Sequence, residues 1–133
     1  MTNKTEKRAA GDRGEEIVCQ FLIKQGFLIL ERNYWRKWGE IDIVAENLKD
    51  KVVHFIEVKS AIRDFSRGVN FDDDYSPADN VTHEKKKRLR RVIQTYILEN
   101  KLEEYDWQAD VALVYLNNQG DRYEIEMLED IDL

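Results

Sequence analysis

The sequence predicts one mixed α/β domain, in which helices flank a β-sheet, with the element order α-β-β-β-α-β-β. Its 133 residues suffice for a single domain that buries roughly two thirds of its unfolded surface. Two segments carry the 3.6-residue apolar periodicity of helices, and five short runs have the apolar composition or alternation of strands. Helices interleaved with strands in this order are typical of a mixed sheet with helices packed on it.

The first half of the chain contains one helix and three strands. We expect the helix over residues 12–25, where apolar side chains recur with helical spacing and Gly26 is placed to end it. Glu15 lies at the border of the apolar stripe, and Glu16 lies nearly opposite it. The aromatic and basic segment 33–39 is expected to be a loop. Strands are expected at residues 27–32, 40–46 and 52–59.

The second and third strands are expected to form an antiparallel hairpin, because only the polar loop 48–51 separates them. If Asn47 lies opposite Val52, then Asp42 faces Glu57 directly. Side chains paired across strands lie roughly 4.5–5.5 Å apart at their Cβ atoms, so two carboxylates would converge there.

The second half contains an irregular segment, a basic helix and two strands. The segment 61–80 includes the acidic run Asp72–Asp74 and is expected to be an irregular loop. Thr82 is the expected N-cap of the helix, and Lys85 falls within its apolar stripe. Strands are expected at residues 109–116 and 122–128. The buried stripe of the helix comprises Leu89, Val92, Ile93, Tyr96 and Ile97.

The net charge of −6 comes from the C-terminal quarter of the chain. Residues 99–133 hold 11 acids and 2 bases, whereas residues 1–98 hold 19 bases and 16 acids. The body is therefore mildly basic, and the overall charge does not exclude a polyanionic partner. Cys19 is the single cysteine, so no internal disulfide forms. Together with the absence of an apolar leader or spanning segment, this indicates a cytoplasmic protein without a membrane partner.

The clearest candidate for chemistry is the group Asp42, Glu57 and Lys59. Glu57 and Lys59 are two residues apart on a strand, so both point to one face. Opposed carboxylates are unfavourable unless a cation neutralises them, and oxygen ligands of this kind suit Mg²⁺. Lys59 would then stabilise charge developing on a phosphoryl oxygen, or orient a water. A charged, solvent-facing strand explains the same spacing about as well.

Six motifs in order resemble a known group, the PD-(D/E)XK nucleases. The similarity is closest to the YraN-like bacterial proteins, which are similar to archaeal Holliday-junction resolvases, and it spans about residues 11–128. A departure is the 60–80 segment, which lacks the short, glycine-containing form expected in the family. The motifs are Gly11-x-x-Gly14-Glu15, ERN at Glu31–Asn33, GEIDIVA at Gly39–Ala45, FIEVK at Phe55–Lys59, VTxxKxxRL at Val81–Leu89, and Asp110-Val111.

The resemblance implies a restriction-endonuclease-like core and cleavage of nucleic acid that depends on Mg²⁺ or Mn²⁺. Carried over by position, Asp42 and Glu57 would be metal ligands and Lys59 the catalytic lysine. Glu15 would be the acid on the helix that positions the attacking water. Supporting roles would fall to Lys85 and Asp110.

Several basic and aromatic residues are candidates for binding nucleic acid. Trp35 and Trp38 lie among bases and have the chemistry to stack on unpaired bases, although capping the core is an equal alternative. The candidate phosphate contacts are Arg36, Lys37, Lys86 and Arg90. For the bases of the second helix, a solvated charged face is the more common explanation.

Three functions remain open from the sequence. The first is a metal-dependent nuclease acting on DNA, with branched and damaged DNA among the candidates. The second is a nucleic-acid-binding module of the same fold without turnover, and the third is a protein-interaction domain. Homodimer formation is also open. The chain has no Walker A loop, dinucleotide fingerprint, HExxH or nucleophile-elbow motif, which argues against the enzyme classes that carry them.

Overall fold

The computed structural model describes residues 3–63 and 82–133, with side chains from residue 11 onward. It confirms the mixed α/β class and the order of the elements. The two helices are α1 (Asn3–Lys24) and α2 (His83–Glu99). The five strands are β1 (Phe27–Arg36), β2 (Gly39–Asn47), β3 (Val53–Ile62), β4 (Trp107–Leu116) and β5 (Tyr123–Leu128).

The strands form one sheet in the order β1-β2-β3-β4-β5. Only β3 and β4 run parallel, and α2 lies in the connection between them, as a parallel pair requires a crossover. The other three neighbouring pairs are antiparallel. The sheet is therefore mixed.

The core consists of two apolar clusters on opposite faces of the sheet. Alternate residues of β3 separate them: Phe55 packs with α2 residues such as Ile93, and Ile56 packs with α1 residues such as Val18. This alternation follows from the two-residue period of a strand. The molecule thus has three layers, with α1 on one face and α2 on the other.

Two boundary predictions were wrong. Helix α1 begins at Asn3 rather than at Asp12, so residues 3–11 also belong to the helix. This segment contains Ala, Glu, Lys and Arg, which are good helix formers. Strand β1 continues to Arg36, so only residues 37–38 remain of the expected loop 33–39. The acidic run Asp72–Asp74 lies outside the described residues.

Two glycines allow the helices to approach the sheet closely. A Cβ atom at Gly14 of α1 would lie 2.0 Å from Ser60 Oγ and 3.3 Å from Ser60 Cβ. A Cβ atom at Gly39 would lie 3.2 Å from Val92 Cβ and 3.3 Å from the Arg88 carbonyl oxygen on α2. Each glycine precedes a glutamate, so these contacts fix where Glu15 and Glu40 leave the backbone.

No helix in residues 3–63 or 82–133 is long and apolar enough to cross a bilayer.

Candidate functional site

The site lies where the regular alternation of two neighbouring strands breaks. Ile41 packs in the α2 cluster and Ile43 in the α1 cluster, although residues two apart on a strand normally share a face. On β1, Asn33 lies between the partners of these two residues and has a left-handed φ of 54°. Asparagine tolerates this conformation better than most residues. Asp42 therefore stands at a local change of face.

The pairing of β2 with β3 also ends at this point. The predicted hairpin register is confirmed from Glu46–Val53 to Ile43–Ile56. The expected Asp42–Glu57 pair lies one residue beyond the last of these pairs. There, Asp42 Oδ2 accepts a hydrogen bond from the Val58 backbone N–H at 2.8 Å. The carboxylate takes the place of a backbone carbonyl where the two strands separate.

Asp42 is surrounded by other carboxylates. Burial, followed by the charges of Glu15, Glu57 and Glu40, raises its pKa to about 6, against the opposing effect of the Val58 N–H. Within the described residues, that N–H is the hydrogen-bond donor that reaches this side chain. The ionised carboxylate is thus held in an environment that favours a neutralising partner.

Glu15 joins the cluster from α1, as expected for a residue at the border of the apolar stripe. Burial raises its pKa, while a hydrogen bond from Asn33 and the charge of Arg32 act in the opposite direction. With its nitrogen facing α1, the Asn33 amide donates to both Glu15 carboxylate oxygens, at 3.1 and 3.3 Å. Glu16 points elsewhere and forms an exposed ion pair with Arg32 at 2.8 Å.

Lys59 lies beside the second predicted acid. Its Nζ is 3.2 Å from Glu57 Oε1, and both side chains are about one third exposed. Lys59 also lines a cavity of about 210 Å³ together with Ser60, Leu113 and Tyr115. The buried Ser60 Oγ has no hydrogen-bond partner within the described part of the chain. Glu15 and Glu57 thus interact electrostatically with Asp42, and Lys59 contacts Glu57.

The donor chemistry fits a hard divalent cation. Burial raises the pKa of two carboxyl groups, those of Asp42 and Glu15, and a divalent cation would favour their charged forms. Mg²⁺ commonly takes one or two carboxylates and keeps several waters. Among residues 11–63 and 82–133, no three His, Cys, Asp or Glu side chains are gathered tightly enough to hold a metal unaided. Asp42 and Glu57 would hold the ion, and water or substrate oxygens would complete its shell.

The structure places Asp110 in a separate buried network. Its Oδ2 lies 2.7 Å from His54 Nδ1, and its Oδ1 accepts from Gln108 Nε2 and the Asp130 backbone N–H, both at 2.9 Å. These donors lower the pKa of Asp110 although burial acts to raise it. Asp110 therefore connects β3, β4 and the C-terminal segment, and His54 has a structural role.

Lys85 does not lie within the buried stripe of α2, so that prediction was wrong. The residue is exposed, and burial on α2 begins only at Val92. The reason is the position of α2 on the sheet. Gly39, at the start of β2, contacts α2 at Arg88 and Val92, so the first helical turn, which contains Lys85, lies beyond the end of β2. Thr82 is the N-cap as predicted, and its side chain accepts from the Lys85 backbone N–H at 3.2 Å.

The predicted nucleic-acid contacts have different surroundings. Arg36 forms a bidentate ion pair with Glu99 of α2, which also accepts from Tyr34 Oη at 2.9 Å. It thereby links β1 to α2. Lys37 and Arg90 are exposed, and Lys86 is partly buried. Binding of nucleic acid by these four bases stays a prediction.

Three members of this region have no assigned role from the sequence. Glu40 contributes to the raised pKa of Asp42, Asn33 orients Glu15, and Ser60 carries an unpartnered hydroxyl beside Lys59. For Asn33 the sequence offers one signal, because asparagine is enriched among residues with a positive φ, the conformation that Asn33 adopts.

Comparison with known proteins gives the family of the chain. Residues 14–120 match the Uncharacterised protein family UPF0102, which covers Glu15, Asp42, Glu57 and Lys59. The chain belongs to the UPF0102 family. A UPF0102 protein of Sulfurovum is 39% identical over 126 residues, covering 92% of this chain and 93% of the relative. A UPF0102 protein of Helicobacter hepaticus is also 39% identical over 126 residues, covering 95% and 96%.

The similarity of the UPF0102 relatives extends across most of the domain. A UPF0102 protein of Clostridium acetobutylicum is 37% identical over 123 residues, covering 92% of each chain. In each of these three comparisons the match covers more than 90% of both chains.

Proposed function

We propose that this UPF0102 chain is a divalent-metal-dependent nuclease of the PD-(D/E)XK type that hydrolyses phosphodiester bonds in DNA. The observation that carries the proposal is the Asp42 carboxylate, whose pKa is raised to about 6 by burial among Glu15, Glu57 and Glu40. Within residues 11–63 and 82–133 no cationic side chain contacts this carboxylate, and a buried carboxylate in that situation is suited to a bound cation. Lys59 supplies a positive charge at its border.

Each side chain has its own role in this proposal. Asp42 and Glu57 would hold Mg²⁺ or Mn²⁺, which would supply Lewis acidity and lower the pKa of water. Glu15, held by the Asn33 amide, accepts a hydrogen bond from the attacking water and orients it toward phosphorus. Lys59 donates to a non-bridging phosphate oxygen and stabilises the charge that grows there in the transition state. Its ion pair with Glu57 keeps the ammonium group in place.

A metal titration followed by calorimetry tests the site before any substrate is known. The parent chain should bind Mn²⁺, and both Asp42→Asn and Glu57→Gln should weaken binding at least tenfold because each removes one charged ligand. Glu46→Gln, which removes a carboxylate from the other end of β2, is the matched control. Equal metal binding by the parent and both site variants would sink the assignment.

Cleavage is then measured on single-stranded, duplex, flapped and four-way-junction DNA with Mg²⁺ or Mn²⁺. The parent and Glu46→Gln should cut at least one of these substrates, and Asp42→Asn, Glu57→Gln and Lys59→Met should not. Cutting by all three site variants at the parental rate would contradict the proposed roles.

A nucleic-acid-binding domain without turnover is the second candidate function. It is favoured by the sparse ligand set, since no three metal-binding side chains are gathered within the described part of the chain. Binding of the same DNA panel with no product in either metal would support it over the nuclease.

A further inference from the structure

Trp35 is the most exposed aromatic side chain in the described part of the chain. It is 64% exposed near the end of β1, and within residues 11–63 and 82–133 its indole makes no hydrogen bond or ring contact. Water is a poor environment for so large an apolar surface, and a solvent-facing tryptophan commonly marks a contact site.

The other two tryptophans have structural surroundings. The Trp38 Nε1–H donates to Thr95 Oγ1 at 3.0 Å, and the Arg91 guanidinium lies 4.9 Å from its ring centroid. Trp107 packs edge-on against Phe55, with the ring centroids 5.8 Å apart. The alternative of core capping therefore applies to Trp38, while Trp107 packs in the core, and Trp35 is the one available for stacking among these three.

Trp35 is adjacent to the carboxylate cluster. It pairs with Glu40 across the β1–β2 ladder, and the charge of Glu40 raises the pKa of Asp42. Glu40 and Asp42 are separated by two residues of strand, or roughly 7 Å. This separation is of the order of the size of one nucleotide, so a base close to a phosphate that contacts a cation at Asp42 would lie within reach of the Trp35 indole.

Two neighbouring surfaces differ in charge. The basic surface of α2 favours a polyanion, and the groove at Trp35 favours a neutral group. Residues 84–91 of α2 carry six bases and one acid, and Arg91 brings this helix to Trp38, beside the exposed Lys37. The open groove that Trp35 lines contains Glu31 and the ion pair of Arg36 with Glu99, so these three side chains carry one negative charge in excess. This charge disfavours a phosphate at the indole but does not oppose an uncharged base.

From this juxtaposition we infer that Trp35 is a stacking platform for an unpaired nucleobase next to the cleavage site. The inference rests on the proposed nuclease function and names its substrate class, which is DNA with unpaired bases rather than continuous duplex. Bases inside a duplex are stacked on both faces, so an indole gains contact only with an unpaired base. Stacking of this kind tolerates any base sequence.

Binding measured in EDTA separates the inference from cleavage. Fluorescence anisotropy is recorded with a labelled single-stranded oligonucleotide and with a blunt duplex of the same length. Trp35→Leu should weaken single-strand binding roughly tenfold, and Trp35→Phe should retain most of the affinity because the ring still stacks. Duplex binding should be unchanged in both. Tyr123→Leu, which removes an aromatic ring 48% exposed on the opposite edge of the sheet, is the matched control.

Several outcomes would overturn the inference. Parental single-strand affinity in Trp35→Leu would exclude stacking, and equal losses for single strand and duplex would show a contact that does not depend on unpaired bases. Dissociation of a dimer in Trp35→Leu, seen by sedimentation, would assign the indole to a second copy of the chain. Because no metal is present, the inference can fail while metal binding at Asp42 and Glu57 succeeds, and the reverse also holds.

Discussion

Replacing Asp42 with asparagine should stabilise the metal-free protein at neutral pH. Burial raises the pKa of this carboxyl group from 3.8 to about 6, so the folded protein binds the proton more tightly than the unfolded chain. The stabilising effect of protonation is therefore present in acid and is lost as the pH rises from about 4 to about 6. Asparagine has a similar shape, carries no charge and retains an oxygen that can accept from the Val58 N–H.

The expected size follows from the shift. A difference of about two pKa units corresponds to ~3 kcal/mol, of which ~2 kcal/mol develops between about pH 4 and about pH 8. The free energy of unfolding is measured for the parent and for Asp42→Asn by denaturant titration at both pH values. The value for the variant minus the value for the parent should be larger at about pH 8 than at about pH 4 by ~2 kcal/mol. Saturating Mg²⁺ should stabilise the parent and not the variant. A variant less stable than the parent by the same amount at both pH values would refute the electrostatic account of the site.

Two further predictions concern the fold around the site. Gly14→Ala should lower the free energy of unfolding by about 1–3 kcal/mol, because the new Cβ would collide with Ser60. Gly11→Ala in the same helix has no atom within 4 Å of its new Cβ and should raise the free energy of unfolding by about 0.5–1 kcal/mol. Equal effects of the two substitutions in thermal unfolding would contradict the close approach of α1 to the sheet. Asp110→Ala should lower the free energy of unfolding by about 3–5 kcal/mol, because it leaves the buried partners of the carboxylate unpaired. Amide hydrogen exchange at Asp130 should become faster, and unchanged exchange there would show that the network does not hold the C-terminal segment.

Local patterns predicted the elements whose structure depends on local physics. The hairpin register follows from a short polar loop and the two-residue period of strands, and it is confirmed up to Ile43. The N-cap at Thr82 follows from the preference of hydroxyl side chains for the free N–H groups of a helix. The same periodicity misplaced Lys85, because it gives the direction of a side chain but not where the underlying sheet ends.

Contacts between distant parts of the chain were beyond local patterns. The partner of Asp110 is 56 residues away, and nothing near either residue marks the pair. The continuation of β1 past Asn33 was missed because the run to Arg36 shows no apolar alternation, and its pairing with β2 provides the structure instead. The role of Asn33 depends on α1 lying across that strand, which only the fold brings about.

Asp42 has a structural role as well as a proposed functional one, and both affect how its variants are interpreted. Its carboxylate accepts the Val58 N–H at the end of the β2–β3 pairing, and it is also a proposed metal ligand. An alanine there would leave a partly buried N–H without its partner, so lost activity could follow from a shifted β3 as well as from a lost ligand. Within the part of the chain that the structure describes, the Glu57 side chain has no such structural role, because its contact is the partly exposed ion pair with Lys59. Loss of metal binding in Glu57→Gln with unchanged unfolding would therefore be the more direct evidence for the site.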